Sequence, residues 1–202
     1  MYSNTFRYYQ MEEKSKEDFY TEYGRHWFKS GDIGEMTEDG QLKIIDRKKD
    51  LVKLQFGEYV SLGKVEAALK ACPVVNNICI YGDSFKSYCV ALVEPDPNSL
   101  KEFAKKYNKE DLSFEEMCDD KDITGGVLRE LVNYGKKCKL EKFEIPGGAT
   151  IIKDIWLPES GLVTAAFKLK RKPIQQQYQI DIDRMYGISP TQKPQQEIAT
   201  KV

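Results

Sequence analysis

Ile44 to Leu54 reads IIDRKKDLVKL, and its middle is an unbroken run of five charged residues, Asp46-Arg47-Lys48-Lys49-Asp50, set between two apolar stretches. Tight surface turns favour Gly, Pro, Asn or Ser, which reach special backbone angles or bond to their own backbone. This run has none of them. Ile44, Ile45, Leu51, Val52 and Leu54 call for burial on either side of residues that call for water. The segment therefore reads as a joint between two folded pieces rather than as a turn within one.

On the N-terminal side, GEMTEDGQLKIID (Gly34–Asp46) reads as a hairpin: Asp39-Gly40 is a strong turn signal, and Leu42, Ile44 and Ile45 mark the returning strand. Residues 1–28 show no strong periodicity, although EEKSKEDF (Glu12–Phe19) suits a short solvent-facing helix. Some 45 residues carrying one hairpin cannot bury a core alone, so this part is expected to be the edge of something larger.

On the C-terminal side, Ser61 is placed to cap a helix whose Leu62, Val65, Leu69 and Cys72 share a face and which Pro73 ends. NNICIYG (Asn76–Gly82) and YCVALVEP (Tyr88–Pro95) are dense in β-branched and aromatic residues and predict two adjacent strands. A short amphipathic helix follows at Asn98–Asn108. A longer one is predicted from Val127 to Pro146, with Leu128, Leu131, Val132, Gly135 and Cys138 on its buried side. Ala149–Leu157 is expected as a further strand, Pro158–Phe167 as a loop, and Pro173–Gly187 as a helix with Pro173 in its first turn. The tail from Ile188 to Val202, rich in Pro and Gln, is expected to be disordered. The sum is an α+β fold: a small domain of helices and short strands after the joint.

Composition removes several function classes. The chain has 202 residues with a formal net charge of -1, which gives no electrostatic reason to expect nucleic acid as a partner. It has no apolar run of about 18 residues or more, the length that would cross a bilayer as a helix. Five cysteines (Cys72, Cys79, Cys89, Cys118, Cys138) lie too far apart for a CxxC site and read as reduced thiols packed as small hydrophobes. With His26 the only histidine, paired-histidine metal sites are excluded and a Ser/His/Asp machine is disfavoured. No metal site is expected, and any catalysis must run on Lys, Arg and carboxylates.

The stretch WFKSGDIGEMTEDGQLKIIDRKKDLVKL (Trp27–Leu54) resembles the signature of the adenylate-forming, AMP-binding superfamily in the version carried by long-chain fatty-acid–CoA ligases. The likeness continues through GEYVSLGKVEAALK, LEKFEIP, GLVTAAFKLKRK and DIDRMYG, covering residues 8 to 187. These are long, ordered motifs rather than one short match. The resemblance implies four segments. Residues 1–46 would be the incomplete end of the large AMP-binding domain, 47–50 a hinge, 51–187 the C-terminal lid domain, and 188–202 a tail. The missing N-terminal domain becomes an expected partner, and long-chain fatty acid, ATP, CoA and Mg2+ (through ATP) the expected substrates and cofactor. Intracellular work at the endoplasmic reticulum, mitochondrial outer membrane or peroxisome surface is implied for the full-length enzyme, with membrane association left open.

The resemblance also assigns roles. Asp32 matches the aspartate that accepts hydrogen bonds from both ribose hydroxyls of ATP, a task suited to the two oxygens of one carboxylate. Alone, it would read as an exposed turn residue. Arg47 matches the arginine on the nucleotide ribose and phosphate side, where a forked, permanently charged group fits; alone, it is a solvated member of the charge run. Lys49 aligns with the hinge about which the lid rotates between two half-reactions, the plainer alternative being a static linker. Lys168 matches the catalytic lysine that meets negative charge between carboxylate and α-phosphate during adenylation; without the motif it belongs to a surface basic patch with Lys170, Arg171 and Lys172. Lys53 and Gly57 match the segment lining the CoA route.

Several positions depart from the family pattern: Ser30 where threonine is commoner, Phe56 where a small residue is usual, Ala165 in place of a polar residue, and Pro173. A larger departure is that the Gly/Ser/Thr-rich phosphate-gripping loop and the acyl tunnel lie upstream of anything in this sequence. The expectation is a C-terminal fragment that is inactive alone. Its rival is a non-catalytic, stand-alone lid that binds nucleotide, CoA or a partner synthetase.

Overall fold

The computed structural model describes residues 7–188, and the chain divides into two units between Leu51 and Val52, directly after the charged run. Of the tail expected to be disordered, 188–202, residues 189–202 lie outside the described residues, and Ile188 donates its amide to the Asp183 carbonyl (2.9 Å).

The first unit holds α1 (Glu12–Asp18), β1 (Phe19–Glu22), β2 (Arg25–Phe28), β3 (Asp32–Met36) and β4 (Leu42–Arg47), arranged as two antiparallel hairpins. The β3–β4 hairpin turns through Gly40, whose φ of 78° is open to glycine and strained for other residues. In the β1–β2 hairpin, Tyr23 and Gly24 both take positive φ (50° and 72°), the geometry whose twist matches paired strands. No described residue of this unit is buried. Trp27, Phe28, Met36, Leu42, Ile44 and Ile45 stay largely exposed, so the unit has apolar surface but no interior. A 3-10 turn, Lys48–Asp50, leads out of it.

The second unit is organised by one strand. β5 (Leu51–Lys53), at the division, pairs with β6 (Tyr59–Ser61); α2 (Leu62–Leu69) then leads to β7 (Val75–Tyr81) and β8 (Val90–Pro95). After α3 (Pro97–Ala104), α4 (Phe114–Asp119) and α5 (Lys121–Lys137) comes β9 (Gly148–Ile151), and the unit ends with α6 (Arg171–Gln177) and α7 (Gln179–Met185). β8 lies between β7, antiparallel, and β9, parallel. All six of its residues are buried, which explains the apolar run Val90–Val93, since a strand covered on both faces has no solvent side to show; Glu94, buried as well, accepts from Asn76 Nδ2 (2.8 Å).

Two cores result. Ala91 and Val93 join Ile78, Ile80, Leu69, Leu100, Val127 and Leu131 under α2, α3 and α5, while Val90 and Leu92 join Cys79, Trp156, Leu162, Ile174, Tyr178 and Ile182 on the other face. This is the period-two alternation of a strand serving two helical layers. Capping fixes the helix starts. The Ser61 hydroxyl accepts from the Lys64 N–H (3.2 Å). Ser113 and Glu116 form a reciprocal capping box, and Asp120 accepts from the amides of Asp122 and Ile123 (2.9 and 3.0 Å). Among the described residues, no helix is long and apolar enough to cross a membrane.

Candidate active site

Asp32 and Arg47 open and close the β3–β4 ladder and are directly opposed in register. The Arg47 Nε lies 3.5 Å from Asp32 Oδ1, with the carboxylate about one-third exposed and the guanidinium more open. Two bonds steady this corner: the Asp32 amide donates to Ser30 Oγ (3.2 Å), and the Lys48 amide donates to the Gly31 carbonyl (2.8 Å). A bulge between Ile33 and Gly34 absorbs one extra residue of β4. Bulges of this kind re-aim side chains near sites. The outcome is an acceptor and a forked cation side by side at a strand end, both reachable from water.

Lys49 sits in the middle of the 3-10 turn that joins the units, with no residue of the turn buried.

Lys53 and Gly57 belong to the second unit, in a hairpin closed by the Leu54 N–H to the Glu58 carbonyl (2.8 Å) and the Gly57 N–H to the Leu54 carbonyl (3.0 Å). Gly57 has φ of 96° and nothing within 4 Å of where a Cβ would stand, so backbone angle and not crowding selects glycine there. The Lys53 ammonium lies 5.6 Å from the centre of the Tyr59 ring, and Phe56 projects from the tip, largely exposed.

Lys168 leaves a tight hairpin in the same unit. Val163 and Leu169 form an antiparallel bridge. The Thr164 N–H donates to the Lys168 carbonyl (2.8 Å), the Lys168 N–H to Thr164 Oγ1 (3.1 Å), and the Lys170 N–H to the Leu162 carbonyl (2.8 Å). Phe167 takes φ of 55°, a left-handed angle that is a true outlier for so bulky a side chain. Lys168 itself is exposed. Of the residues singled out from sequence, the structure brings Asp32 and Arg47 together in one unit; Lys53, Gly57 and Lys168 lie in the other.

One expectation is corrected. Arg171 does not share the surface patch of the exposed Lys170 and Lys172: its side chain is 24% exposed and grips Glu66 through two bonds, Nη1–Oε1 2.6 Å and Nη2–Oε2 2.9 Å. A signal was available, since Glu66 follows Val65 on the buried stripe of α2 and Arg171 lies three residues before the buried Ile174. Charges flanking apolar stripes are the ones that pair at half-buried sites. The cysteines also divide: Cys72, Cys79, Cys89 and Cys118 are buried, as small hydrophobes should be, but Cys138 is exposed. Burial pushes the Cys89 thiol up to about 12 and the Cys118 thiol to about 11, so neither forms a thiolate near neutrality. Among the described residues, no group of three or more His, Cys, Asp or Glu side chains is placed to hold a metal ion.

Comparison with known proteins narrows the class. No family model matches the chain. Among solved structures, the adenylation domain of a carboxylate reductase from Mycobacterium chelonae superposes with a TM-score of 0.71 at 30% identity over 90% of this chain and 26% of its own. The corresponding domain from Segniliparus rugosus, solved with AMP and a co-purified carboxylic acid, gives 0.71 at 27% identity, again over 90% of this chain and 26% of that one. The fold is therefore that of the adenylate-forming enzymes. Among curated proteins, long chain acyl-CoA synthetase 8 of Arabidopsis thaliana is 45% identical over 186 residues, 92% of this chain and 26% of the plant protein. Fatty acyl-CoA synthetase B of Dictyostelium discoideum is 38% identical over 180 residues, 89% of this chain and 26% of that protein. The chain belongs to the long-chain acyl-CoA synthetases as a C-terminal portion, and it spans about a quarter of the length of the curated relatives it matches.

Proposed function

We propose that this chain supplies the nucleotide-facing corner, the hinge and the lid of an AMP-forming long-chain fatty-acid–CoA ligase. In the first half-reaction the fatty-acid carboxylate attacks the α-phosphorus of ATP, giving acyl-adenylate and releasing pyrophosphate. In the second, the CoA thiol attacks the acyl carbon, giving acyl-CoA and releasing AMP. The Asp32 carboxylate would take both ribose hydroxyls, with Arg47 beside it steering the same sugar and its phosphates. Lys168 would meet the charge that builds between carboxylate and α-phosphate; an ammonium is worth most there once the lid has excluded water. Lys49 would absorb the dihedral change that swaps Lys168 for the Lys53–Gly57 hairpin, which would then line the path of the CoA thiol. The described residues do not offer a three-ligand metal cluster, so magnesium would travel on the ATP phosphates and no step is assigned to it.

The observation that carries this reading is the extent of the match to Arabidopsis synthetase 8. It takes in 186 of 202 residues, leaving 16 outside, so Asp32, the charged run and Lys168 all fall within its span. The test is a hybrid in which this chain replaces the matching C-terminal quarter of that enzyme, assayed with palmitate, ATP and CoA. Pyrophosphate release and palmitoyl-CoA formation are expected, with the 202-residue chain inactive alone. A soluble hybrid that binds ATP yet forms no adenylate would sink the proposal.

One observation favours a second reading. The second unit owns a complete two-sided core, as a stand-alone lid would need. An immunoblot of source cells against ISPTQKPQQEIATKV separates the two: a band several-fold above 23.3 kDa supports the ligase, and a band at 23.3 kDa the lid.

A further inference from the structure

Lys168 poses a problem of precision. Its side chain is exposed and long, so any accuracy in where its ammonium arrives must come from the backbone beneath it. That backbone is a five-residue hairpin loop, Thr164–Lys168, with an outlier at Phe167. The strand entering it is fixed by Leu162 and Val163, both buried in the second core. The strand leaving it is paired to the entering one by the Val163–Leu169 bridge and the Lys170–Leu162 bond, and before Arg171 its one side chain packed into the core is the partly buried Leu169.

Arg171 is where the exit strand is tied. Its guanidinium makes the two-pronged pair with Glu66 and also donates to the Ile80 carbonyl (3.4 Å). Glu66 Oε1 accepts in addition from the Ile80 N–H (2.8 Å). One ion pair, between residues 105 apart in sequence, thus joins α2, β7 and the first residue of α6. Both side chains are mostly shielded, 24% and 13% exposed, where a forked pair is geometrically demanding and poorly replaced by a lysine.

We propose that Arg171 is a positioning residue: its clamp on Glu66 holds the exit strand of the hairpin so that Lys168 is presented from a fixed base. The functional half of this inference rests on Lys168 acting in adenylation; the mechanical half does not.

Two measurements test it separately. In the 202-residue chain, hydrogen exchange reads the amides of Phe167, Lys168 and Lys170 against those of Ala91 to Val93 in β8. Arg171→Ala should lower protection in the hairpin about tenfold or more while β8 changes less than about twofold; Glu66→Gln, which keeps shape and an acceptor for Ile80, should give a smaller loss of the same pattern. Lys172→Ala, an exposed neighbour, should change neither. In the hybrid enzyme, Arg171→Ala should cut kcat for pyrophosphate release about tenfold or more with little change in the KM for ATP, because a misplaced group loses rate before binding. Arg171→Lys should recover part of it, and thioester formation from supplied palmitoyl-adenylate should persist. Unchanged exchange in the hairpin overturns the clamp, as does loss spread evenly into β8 in both Arg171→Ala and Glu66→Gln. Equal loss in both half-reactions overturns the positioning role. If Lys168→Ala leaves adenylation intact, the catalytic reading falls, and the exchange comparison still decides the clamp.

Discussion

Gly125 and Gly126, neighbours in α5, should respond to alanine with opposite sign. In a helix interior glycine is worse than alanine by about 1 kcal/mol, because it gives up more backbone freedom on folding. Both positions share that penalty, so space decides the difference. A Cβ on Gly125 would meet nothing nearer than an Arg129 guanidinium nitrogen at 3.7 Å, an ordinary contact. Gly125→Ala should therefore stabilise the second unit by about 0.5–1 kcal/mol. A Cβ on Gly126 would overlap the Tyr107 hydroxyl and lie 2.7 Å from its Cζ and 2.9 Å from Phe103 Cε1. Neither ring yields readily: Phe103 is 8% exposed in the first core, and the Tyr107 hydroxyl accepts from Arg129 Nη2 at 3.0 Å. Overpacking of this kind costs about 1–3 kcal/mol, and with two rings in the way its upper half applies, leaving Gly126→Ala destabilised by about 1–2 kcal/mol after the helix gain. For a unit of this size each kcal/mol moves the midpoint by about 3 °C. Thermal melts of the 202-residue chain, followed by circular dichroism at about 222 nm, should show Gly125→Ala melting higher and Gly126→Ala lower. Adding Tyr107→Leu to Gly126→Ala should return part of the loss. Two shifts of the same sign would refute the packing argument.

In the hybrid, Lys168→Ala should abolish most pyrophosphate release but spare thioester formation from supplied palmitoyl-adenylate, and Lys49→Pro should do the reverse by locking the turn; equal damage to both halves in either variant would dismiss this division. Asp32→Ala should weaken ATP binding in the hybrid about tenfold, the loss of two charge-assisted bonds, as read by titration calorimetry; unchanged affinity would remove Asp32 from the site. Titration of the native chain with a thiol reagent at pH 8 should modify Cys138 quickly and the other four only on unfolding, and rapid reaction of two or more would contradict their burial. Alkaline stability follows from Cys89 and Cys118, raised from 9.0 to about 12 and about 11 by burial. The folded state keeps protons that the unfolded state sheds, so the contribution is whole below pH 9 and lost as pH climbs from there toward 12. A urea midpoint equal at pH 8 and pH 10.5 would contradict that.

β7, β8, α2 and the β3–β4 hairpin were legible because each carried its own local signal: dense β-branched runs, a serine cap, an Asp-Gly turn. Other elements were hidden for identifiable reasons. The β1–β2 hairpin turns on Tyr23-Gly24, where Asn or Asp would have flagged the positive φ, and its exposed strands show no alternation. α5 starts at Lys121, not Val127, because Thr124-Gly125-Gly126 looks like a loop until the rings over Gly126 are known; its buried side is Ile123, Gly126, Val127, Leu131 and Gly135, with Leu128 and Val132 only half-buried and Cys138 exposed. α4 should have been found, since Ser113-x-x-Glu116 is a capping box in plain sight. The helix expected over 173–187 is broken at Tyr178, whose ring fills the second core and whose hydroxyl donates to Asp154 at 2.7 Å. The expected strand from Ala149 stops at Ile151, and Trp156 is buried on its own account. Among the site residues, Lys168 stood out only through its resemblance to the family motif, since by itself it reads as part of a basic patch; Glu66, the partner proposed to steady its hairpin, lies 105 residues from Arg171 and no spacing rule reaches that far.

The two-sided core around β8 has a mechanical corollary. Every face of the sheet is covered by helices and loops of the same unit, so reorienting that unit as a body would uncover none of its interior. If the hinge proposed at Lys49 turns, the work would be confined to surface groups and a few torsion angles in one short connector. Hydrophobic cohesion, which dominates folding, drops out of the difference between orientations. What would remain under that proposal is a balance of small energies, of the size that a ligand's differential affinity for two states can tip.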